Sequence, residues 1–306
     1  MSLLRNVIRC LLVQQREAHV VNNKFIPKAE PACDLDIYNL KNFLLTNNRI
    51  LVLTGAGVST ESGIPDYRSE GVGLYARSDN RPVQYNDFVK SESIRQRYWA
   101  RNYAGWSVFS SFLPNLCHKT LRRWEITGKV HWLVTQNVDA LHIKAGSIKL
   151  TELHGSAHRV MCMSCDDKMS REQLQNLIGQ HNPMWQAKSV DMAPDGDVQL
   201  TTEQVQGFKI PQCPNCGGAL KPEIIFFGDN VPKPTVNFVF KKVKEADAVL
   251  ILGSSLEVYS GFRFVNAAHT QKKPIAIVNI GPTRADNLAS LKVSAKCSDV
   301  LQRLEL

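Results

Sequence analysis

The sequence has no stretch of about 20 apolar residues, the length that a membrane-spanning helix needs. It also has no run of five or more Lys and Arg residues, although its formal net charge is +9. Scattered basic residues suit anionic cofactors and acidic substrates as well as they suit nucleic acid, so the charge alone selects no partner. We expect neither a membrane segment nor a nucleic-acid partner.

Cysteine is too sparse for a secreted disulfide scaffold: the 306-residue chain has eight, and four of them form two Cys-x-x-Cys pairs. This use of cysteine favours a reducing compartment. The length, with 43% hydrophobic residues, suits an enzyme that has one large α/β domain and a smaller module. No internal repeat is visible.

The N-terminal segment differs from the rest, because three arginines precede the first acidic residue, Glu17, and apolar residues recur at helical spacing. These apolar residues are Leu3, Leu4, Val7, Ile8, Leu11 and Leu12. A basic amphipathic helix is the physical form of a mitochondrial presequence, and the alternative is an ordinary surface helix. We expect residues 1–28 to be a presequence, and the protein to reside in the mitochondrial matrix.

Four short apolar runs end in glycine, serine or asparagine, as buried strands of a parallel sheet do. The runs are Arg49–Gly55, His131–Asn137, Ala248–Ser254 and Pro274–Gly281, with amphipathic helices expected at Asp34–Asn47 and Thr235–Ala246. This alternation predicts an α/β fold, a Rossmann-like open parallel sheet with helices on both faces. Ligands of such sheets bind beyond the carboxyl ends of the strands. We place this Rossmann-like, ligand-binding domain at residues 29–159 and 222–306.

Two Cys-x-x-Cys pairs, Cys162 with Cys165 and Cys213 with Cys216, lie between the two parts of this domain. Four thiolates at this spacing make a closed tetrahedral zinc site without an open position for water. The alternatives are redox dithiols and chance pairs of buried cysteines. The pairs are 47 residues apart, whereas compact ribbons use about 15–20. We therefore expect residues 160–221 to form an inserted zinc-ribbon module with a long insertion, whose zinc stabilises the fold.

The first predicted strand runs into the glycine turn Gly55-Ala56-Gly57, whose backbone N–H groups could approach phosphates. It is not a dehydrogenase fingerprint, because position 60 is Thr60 rather than glycine. Alone, the turn fits a structural role as well as a phosphate site. Two further strands end in Gly253-Ser254-Ser255 and Asn279-Ile280-Gly281. Three such endings on one sheet favour a ligand of dinucleotide size.

Seven features together resemble the sirtuin family of NAD-dependent protein deacylases in order and spacing. They are GAGVSTESGIPDYRS at 55–69, QNVDALH at 136–142, HGS at 154–156, the paired Cys-x-x-Cys motifs, KPEIIFFGD at 221–229, GSSLEV at 253–258 and NIG at 279–281. The resemblance covers roughly residues 35–300. The N-terminal leader, the Ser59–Tyr67 variant and the long insertion look most like the mitochondrial class II members of the family.

The resemblance implies that NAD is the co-substrate and that one zinc ion is structural. It implies the following cofactor-binding residues: Gly55, Ala56, Gly57, Ser59, Thr60, Ile64, Asp66, Tyr67, Arg68, Tyr75, Gln136, Asn137, Val138, Asp139, Gly253, Ser254, Ser255, Asn279, Ile280, Gly281 and Cys297. Among them, Asn137 and Asp139 are expected to act in catalysis at a buried nicotinamide pocket. Asp66 is expected to accept a hydrogen bond from the carboxamide.

His154 would be the general base of the family's reaction. In that reaction the acyl-lysine oxygen attacks the nicotinamide ribose and nicotinamide leaves. The histidine then takes a proton, so that a hydroxyl can attack the intermediate. A lone histidine at a loop is more often structural. Only Gly155-Ser156 after it and the QNVD motif before it single out His154.

The resemblance also implies a protein-lysine deacylase that releases nicotinamide and O-acyl-ADP-ribose. Its substrates would be acylated or ADP-ribosylated mitochondrial proteins, metabolic enzymes among them. Tyr67, Asp229, Ser260 and Ala140 stand where many members have Phe, Glu, Pro and Gly. With the insertion, these departures favour removal of lipoyl, biotinyl or branched and longer acyl groups over efficient deacetylation.

Other roles remain open at this point. Mono-ADP-ribosyl transfer to protein is a further expected activity, and an NAD-sensing regulatory protein with weak catalysis is the alternative. Substrate peptide is expected to add as a strand between Phe227–Asn230 and Ser255–Tyr259. Tyr75 and Arg77 could meet a carboxyl-bearing acyl chain, or they could equally be a solvated surface pair.

Overall fold

The computed structural model describes residues 23–79, 81–187 and 192–304, so most of the predicted presequence lies outside the described residues. The strands are, in chain order, β1 (Ile50–Thr54), β2 (Val130–Thr135), β3 (Leu150–Glu152), β4 (Gly155–Cys162), β5 (Lys168–Ser170), β6 (Leu220–Ile224), β7 (Ala248–Leu252), β8 (Ile275–Val278) and β9 (Leu291–Val293). The helices are α1 (Asp34–Thr46), α2 (Leu74–Arg77), α3 (Tyr85–Lys90), α4 (Glu92–Ser111), α5 (Leu116–Ile126), α6 (Leu141–Lys144), α7 (Arg171–His181), α8 (Thr202–Val205), α9 (Lys233–Glu245), α10 (Tyr259–Thr270) and α11 (Cys297–Gln302). Short 3₁₀ turns occupy Asn23–Phe25, Ala56–Val58, Thr60–Ser62 and Asp286–Leu288.

A parallel sheet in the order β3-β2-β1-β7-β8-β9 forms the larger domain. Every residue of β1, β7 and β8 is buried, as is usual for strands covered on both faces. The four predicted strands are β1, β2, β7 and β8. Each ends before the glycine, serine or asparagine that closed its apolar run, because those residues already turn away from the sheet.

Helices cover both faces of this sheet, as predicted. On one face α1, α5 and α11 contribute Leu40, Leu121, Trp124 and Leu301 to the core. On the other face α9 and α10 contribute Val243 and Phe264. Within the described ranges, none of the helices combines the length and apolarity that spanning a membrane requires.

The smaller module has its own antiparallel sheet, in the order β5-β4-β6. The helices α4 and α7 pack with it around aromatic residues that include Trp99 and Phe109. Ser170 and Gln173 cap the start of α7 reciprocally. Because β4 begins at residue 155 and β6 ends at residue 224, we propose these as the module's limits, slightly outside 160–221.

The described part of the chain begins inside the segment that we assigned to the presequence. The side chain of Phe25 is only 7% exposed, and the Arg77 guanidinium lies 5.0 Å from its ring centroid. Residues 26–28 line the large cavity described below. Since this packing belongs to the folded domain, we propose that a removable leader ends before Phe25.

Part of the long insertion forms a tight hairpin at residues 192–198, which we call the insertion hairpin. Met192 pairs with Val198, and Ala193 O accepts from the Gly196 N–H. Arg101 on α4 fixes it with a 2.7 Å ion pair to Asp197. A Cβ on Gly105 would lie 2.4 Å from the carbonyl oxygen of Gly196. Glycine at position 105 therefore lets the insertion hairpin lie directly on α4.

Candidate active site

A cavity of about 1160 Å³ opens at the carboxyl ends of β1, β2, β7 and β8. Pockets for single drug-sized ligands are about 300–1,000 Å³, so this one has room for a dinucleotide and part of a second substrate. His154 lines it, and so do the residues predicted to bind the cofactor, with the exception of Tyr75. The parts of the chain that the sequence singled out are thus brought to one place.

The glycine turn after β1 packs against the end of β7. The Gly57 N–H donates to the carbonyl oxygen of Gly253 at 2.9 Å. A Cβ on Gly57 would lie 2.8 Å from that oxygen, and a Cβ on Gly55 would lie 2.7 Å from Cβ of Ser254. Glycine is therefore required here by the approach of the two loops, in addition to any approach of a phosphate. The sequence alone left this choice open.

Ser59 connects the turn to the QNVD motif. Its hydroxyl donates to Asp139 Oδ2 at 2.7 Å, and accepts from Asn137 Nδ2 at 3.1 Å. The same Asn137 amide donates to the carbonyl oxygen of Gly55. Burial raises the pKa of Asp139, and hydrogen bonds from Ser59 and from the Leu141 N–H oppose that rise. The network fixes both expected catalytic residues, Asn137 and Asp139, against the cofactor turn.

Asp66 is held by its own loop. Its Oδ1 accepts from the backbone N–H groups of Arg68 and Ser69, and its Oδ2 accepts from the Ser69 hydroxyl. A carboxylate has about four acceptor positions, so one remains for a carboxamide donor in the cavity.

His154 has a defined tautomer. Its Nδ1 lies 2.9 Å from the carbonyl oxygen of Gln136, which can only accept, so in the neutral ring Nδ1 carries the hydrogen. Nε2 therefore keeps its lone pair, and it lies 2.7 Å from the hydroxyl of Ser260. Burial and, to a smaller extent, the Arg263 charge lower the pKa of His154 to about 4, against the opposing effect of the hydrogen bond to Gln136. The ring is neutral at ordinary pH, as a base must be.

Two other histidines, His118 and His142, lie in the core behind the site, with ring centroids 4.6 Å apart. His142 Nε2 is 3.0 Å from the hydroxyl of Thr54. Burial lowers the pKa of His142 to about 3, and it also lowers the pKa of His118. Both rings are therefore neutral in the folded protein.

This burial predicts a loss of stability in mild acid. The unfolded chain, with histidine pKa values of about 6.5, binds more protons than the folded one below that pH. Stability is full above about pH 6.5 and falls as the pH drops toward the folded-state values. At pH 5 each such histidine costs about 2 kcal/mol, or about 4–8 °C in Tm. Thermal melts at pH 7.5 and 5.0 measure this fall.

The His142→Gln variant should show a smaller decrease in Tm between pH 7.5 and 5.0 than the unmodified protein, because one fewer buried histidine must be protonated. The exposed His181 provides the control, and His181→Gln should leave the decrease unchanged. A decrease of the same size in both variants would contradict the role of burial.

The four cysteines of the two pairs come together in the smaller module, with all sulfurs within 4.8 Å of one another. Cys162 Sγ is 3.5 Å from Cys216 Sγ, and Cys165 Sγ is 3.8 Å from Cys213 Sγ. Tetrahedral Zn–S bonds of about 2.3 Å separate sulfurs by about 3.8 Å, so the arrangement fits one zinc ion. These cysteines are absent from the cavity lining, which agrees with a structural role.

Tyr75 and Arg77 are both partly exposed. Tyr75 packs behind Tyr67, with 5.7 Å between ring centroids, and lies outside the cavity lining. Arg77 donates to the carbonyl oxygen of Val72 at 2.8 Å and lies over the Phe25 ring. Cofactor contact by Tyr75, and contact of the pair with an acyl chain, stay predictions.

The sequence reasoning also missed part of the cavity wall. Ile26, Pro27, Arg263, Pro194 and Asp195 line it, the last two from the insertion hairpin. No local pattern marks them, because their position depends on how distant segments pack. The expected peptide-binding segments do reach the cavity, through Phe227–Asp229 and Ser255–Tyr259.

A neutral histidine at a cavity of this size on a Rossmann-like sheet is typical of a dinucleotide-dependent enzyme. Comparison with known proteins agrees. Residues 55–260 match the model of the Sir2 family. The bovine (Bos taurus) protein named NAD-dependent protein lipoamidase sirtuin-4, mitochondrial, is 56% identical over 281 residues, which cover 92% of this chain and 89% of the relative. The human (Homo sapiens) protein of the same name is 55% identical, with 92% and 90% covered.

A solved structure of Sir2 with a p53 peptide and NAD⁺ has the same fold, with a TM-score of 0.70 at 26% identity; 88% of this chain and 96% of that one are covered. Sir2 bound to an acetylated peptide gives 0.70 at 25% identity, with the same coverage. The chain belongs to the Sir2, or sirtuin, family. It is an NAD-dependent enzyme with NAD as co-substrate, as the sequence predicted.

Proposed function

We propose that this chain removes lipoyl, biotinyl or other long, uncharged acyl groups from lysines of proteins in the mitochondrial matrix. The observation that carries the proposal is the lone pair of His154 Nε2 at an NAD-sized cavity. The lipoamidase names of the bovine and human relatives support lipoyl as a substrate, and their mitochondrial names support the location. Metabolic enzymes that carry such groups are the substrates we expect.

NAD supplies an ADP-ribosyl group whose bond to nicotinamide can be broken. The chain supplies the surroundings. The glycine turn leaves room for the phosphates, and the hydroxyl of Ser254 suits the ribose. Asn137 and Asp139 hold the nicotinamide end, and His154 accepts a proton from a substrate hydroxyl. The buried position of Ser59, Asn137 and Asp139 keeps water from the reacting centre.

Acyl selectivity in this proposal comes from the insertion hairpin. Pro194 and Asp195 bring it into the cavity wall near Tyr67. Burial raises the pKa of Tyr67, and the Asp195 carboxylate contributes in the same direction. A carboxylate in this wall repels acyl chains that end in a carboxylate and tolerates uncharged ones. This favours lipoyl and biotinyl over dicarboxylic acyl groups.

Replacing Asp195 with asparagine should therefore raise kcat/KM for a glutaryl-lysine peptide, relative to a lipoyl-lysine peptide, by about tenfold, because one like-charge repulsion is removed. Steady-state kinetics on the two peptides measure the ratio. The exposed Asp87 provides the control, and Asp87→Asn should leave the ratio unchanged. An unchanged ratio in Asp195→Asn would contradict the proposed role of the hairpin.

The function itself is tested by incubating the protein with NAD and an array of acetyl-, lipoyl-, biotinyl- and branched acyl-lysine peptides. O-acyl-ADP-ribose is then followed by mass spectrometry. We expect the largest yields from lipoyl and biotinyl peptides, and absence of product from every peptide would refute the proposal. Labelled NAD without acyl-peptide tests the second expected activity, because only mono-ADP-ribosyl transfer would then label protein.

A further inference from the structure

The hydroxyl of Ser260 contacts the proposed base directly. Its Oγ lies 2.7 Å from Nε2 of His154, in the cavity wall. Many sirtuins have proline at this position, and a proline side chain has no hydrogen-bonding group. This chain therefore gives its histidine a partner that a proline could not supply.

The position of Ser260 in the first turn of α10 does not by itself explain this contact. Serine near a helix start usually caps a free backbone N–H. Here the N-cap residue is Val258, no side-chain cap bond is formed, and the Ser260 hydroxyl is directed at His154. The serine thus acts on the histidine rather than on its own helix.

Gly261 brings this turn close to the strand end that carries the other partner of His154. A Cβ on Gly261 would lie 2.7 Å from Oε1 of Gln136. The Gln136 amide cannot easily move away, because it donates to the Ser254 hydroxyl at 2.8 Å. The main-chain carbonyl oxygen of Gln136 accepts from Nδ1 of His154, and the Ser260 hydroxyl contacts Nε2 of the same ring. The imidazole ring is therefore held at both nitrogens.

A hydroxyl suits both states of a base. It donates to Nε2 while the ring is neutral. After the ring takes a proton, the hydroxyl rotates and accepts from the Nε2–H. Serine keeps its own proton: its O–H turns away from Nε2 when the substrate hydroxyl delivers a proton there, and the transferred proton ends on Nε2. Arg263, one turn further along α10, opposes the charged ring, so an acceptor at Nε2 is needed most in that state.

We propose that Ser260 is a positioning residue for His154, whose hydroxyl holds the Nε2 side of the ring in its neutral and its protonated state. This inference rests on the proposed deacylase function. Removal of the hydroxyl should slow the step in which His154 takes a proton. It should leave substrate binding and the earlier loss of nicotinamide unchanged.

The test compares the variants Ser260→Ala and Ser260→Thr with a control on the same helix, Thr270→Ala. Among the described contacts, the Thr270 hydroxyl donates only to the main-chain carbonyl oxygen of Asn266. Readouts are kcat and KM on a lipoyl-lysine peptide, and exchange of labelled nicotinamide into NAD. For Ser260→Ala we expect kcat to fall about five- to tenfold, with both KM values and the exchange rate within about twofold of the unmodified protein. Ser260→Thr should recover most of kcat, and Thr270→Ala should lose none.

An unchanged kcat in Ser260→Ala would overturn the proposal, and so would equal losses of kcat and exchange, which indicate general damage. An unmodified protein without acyl turnover would refute the deacylase function instead. In that case ¹⁵N NMR of the His154 ring at pH 7.5 decides the inference. Removal of the hydroxyl should shift the Nε2 resonance and leave Nδ1 in place, and an unmoved Nε2 resonance would overturn it.

Discussion

Replacing His154 with asparagine should lower kcat for deacylation by about 10²–10⁴-fold, the usual contribution of a positioned general base. Asparagine keeps a donor for the carbonyl oxygen of Gln136 but has no lone pair of comparable basicity at the position of Nε2. NAD should still bind, because Gly57, Ser254 and Asn279 are untouched. The measurements are single-turnover product formation and calorimetric titration with NAD.

The control is His269→Asn, an exposed histidine near the end of α10, which should retain full activity. Nicotinamide exchange should survive in His154→Asn, since the base acts after nicotinamide has left. Undiminished product formation in His154→Asn would remove the base from the mechanism. Loss of NAD binding would show that the substitution damages the site as a whole.

Replacing Cys162 with serine should abolish the zinc content and lower the Tm by about 10–20 °C, which corresponds to about 5 kcal/mol in a chain of this size. Structural zinc contributes about 10–16 kcal/mol of apparent binding energy in small zinc peptides, and the loss of one thiolate forfeits a large part of it. Cys162 and Cys213 also belong to the hydrophobic core of the smaller module. Zinc analysis and thermal melts measure both effects.

Cys33→Ser is the matched control, because Cys33 is exposed and only caps α1 through the Asp36 N–H, a role that serine fills well. It should keep one zinc per chain and an unchanged Tm. Treatment of the unmodified protein with a strong chelator should reproduce the effect of Cys162→Ser. A Cys162→Ser protein that retains zinc and its Tm would contradict a four-thiolate site.

The central strands that carry the site could be predicted because their apolar composition is visible in a short stretch of sequence. Ile50–Thr54 and Ala248–Leu252 are almost entirely apolar, as is typical of strands that a parallel sheet buries on both faces. The edge strands β3 and β9 have three residues each, partly exposed, and their pairing depends on neighbours that are distant in sequence. No periodicity of three residues could reveal them.

The residues of the site also fall into two groups, those that local motifs reveal and those that only the folded structure reveals. Motifs that turn the chain or bind metal are local, so Gly55 and the cysteines could be named from such motifs, whereas Asn137 is named through the family resemblance. The tautomer of His154 depends on a carbonyl oxygen 18 residues earlier and a hydroxyl 106 residues later. Asp195 reaches the cavity only because Arg101 and Gly105 hold its hairpin. Such positions follow from tertiary packing.

Gly105 lies on α4, away from the atoms that react, yet the insertion hairpin rests on it. Any side chain there would push Gly196 outward and carry Pro194 and Asp195 with it. If the hairpin selects the acyl group as proposed, the acyl preference also depends on α4, a helix whose Gly105 does not line the cavity. Among descendants of a common ancestor, a change in a single codon could redirect the enzyme toward new acyl groups while every reacting residue stays the same.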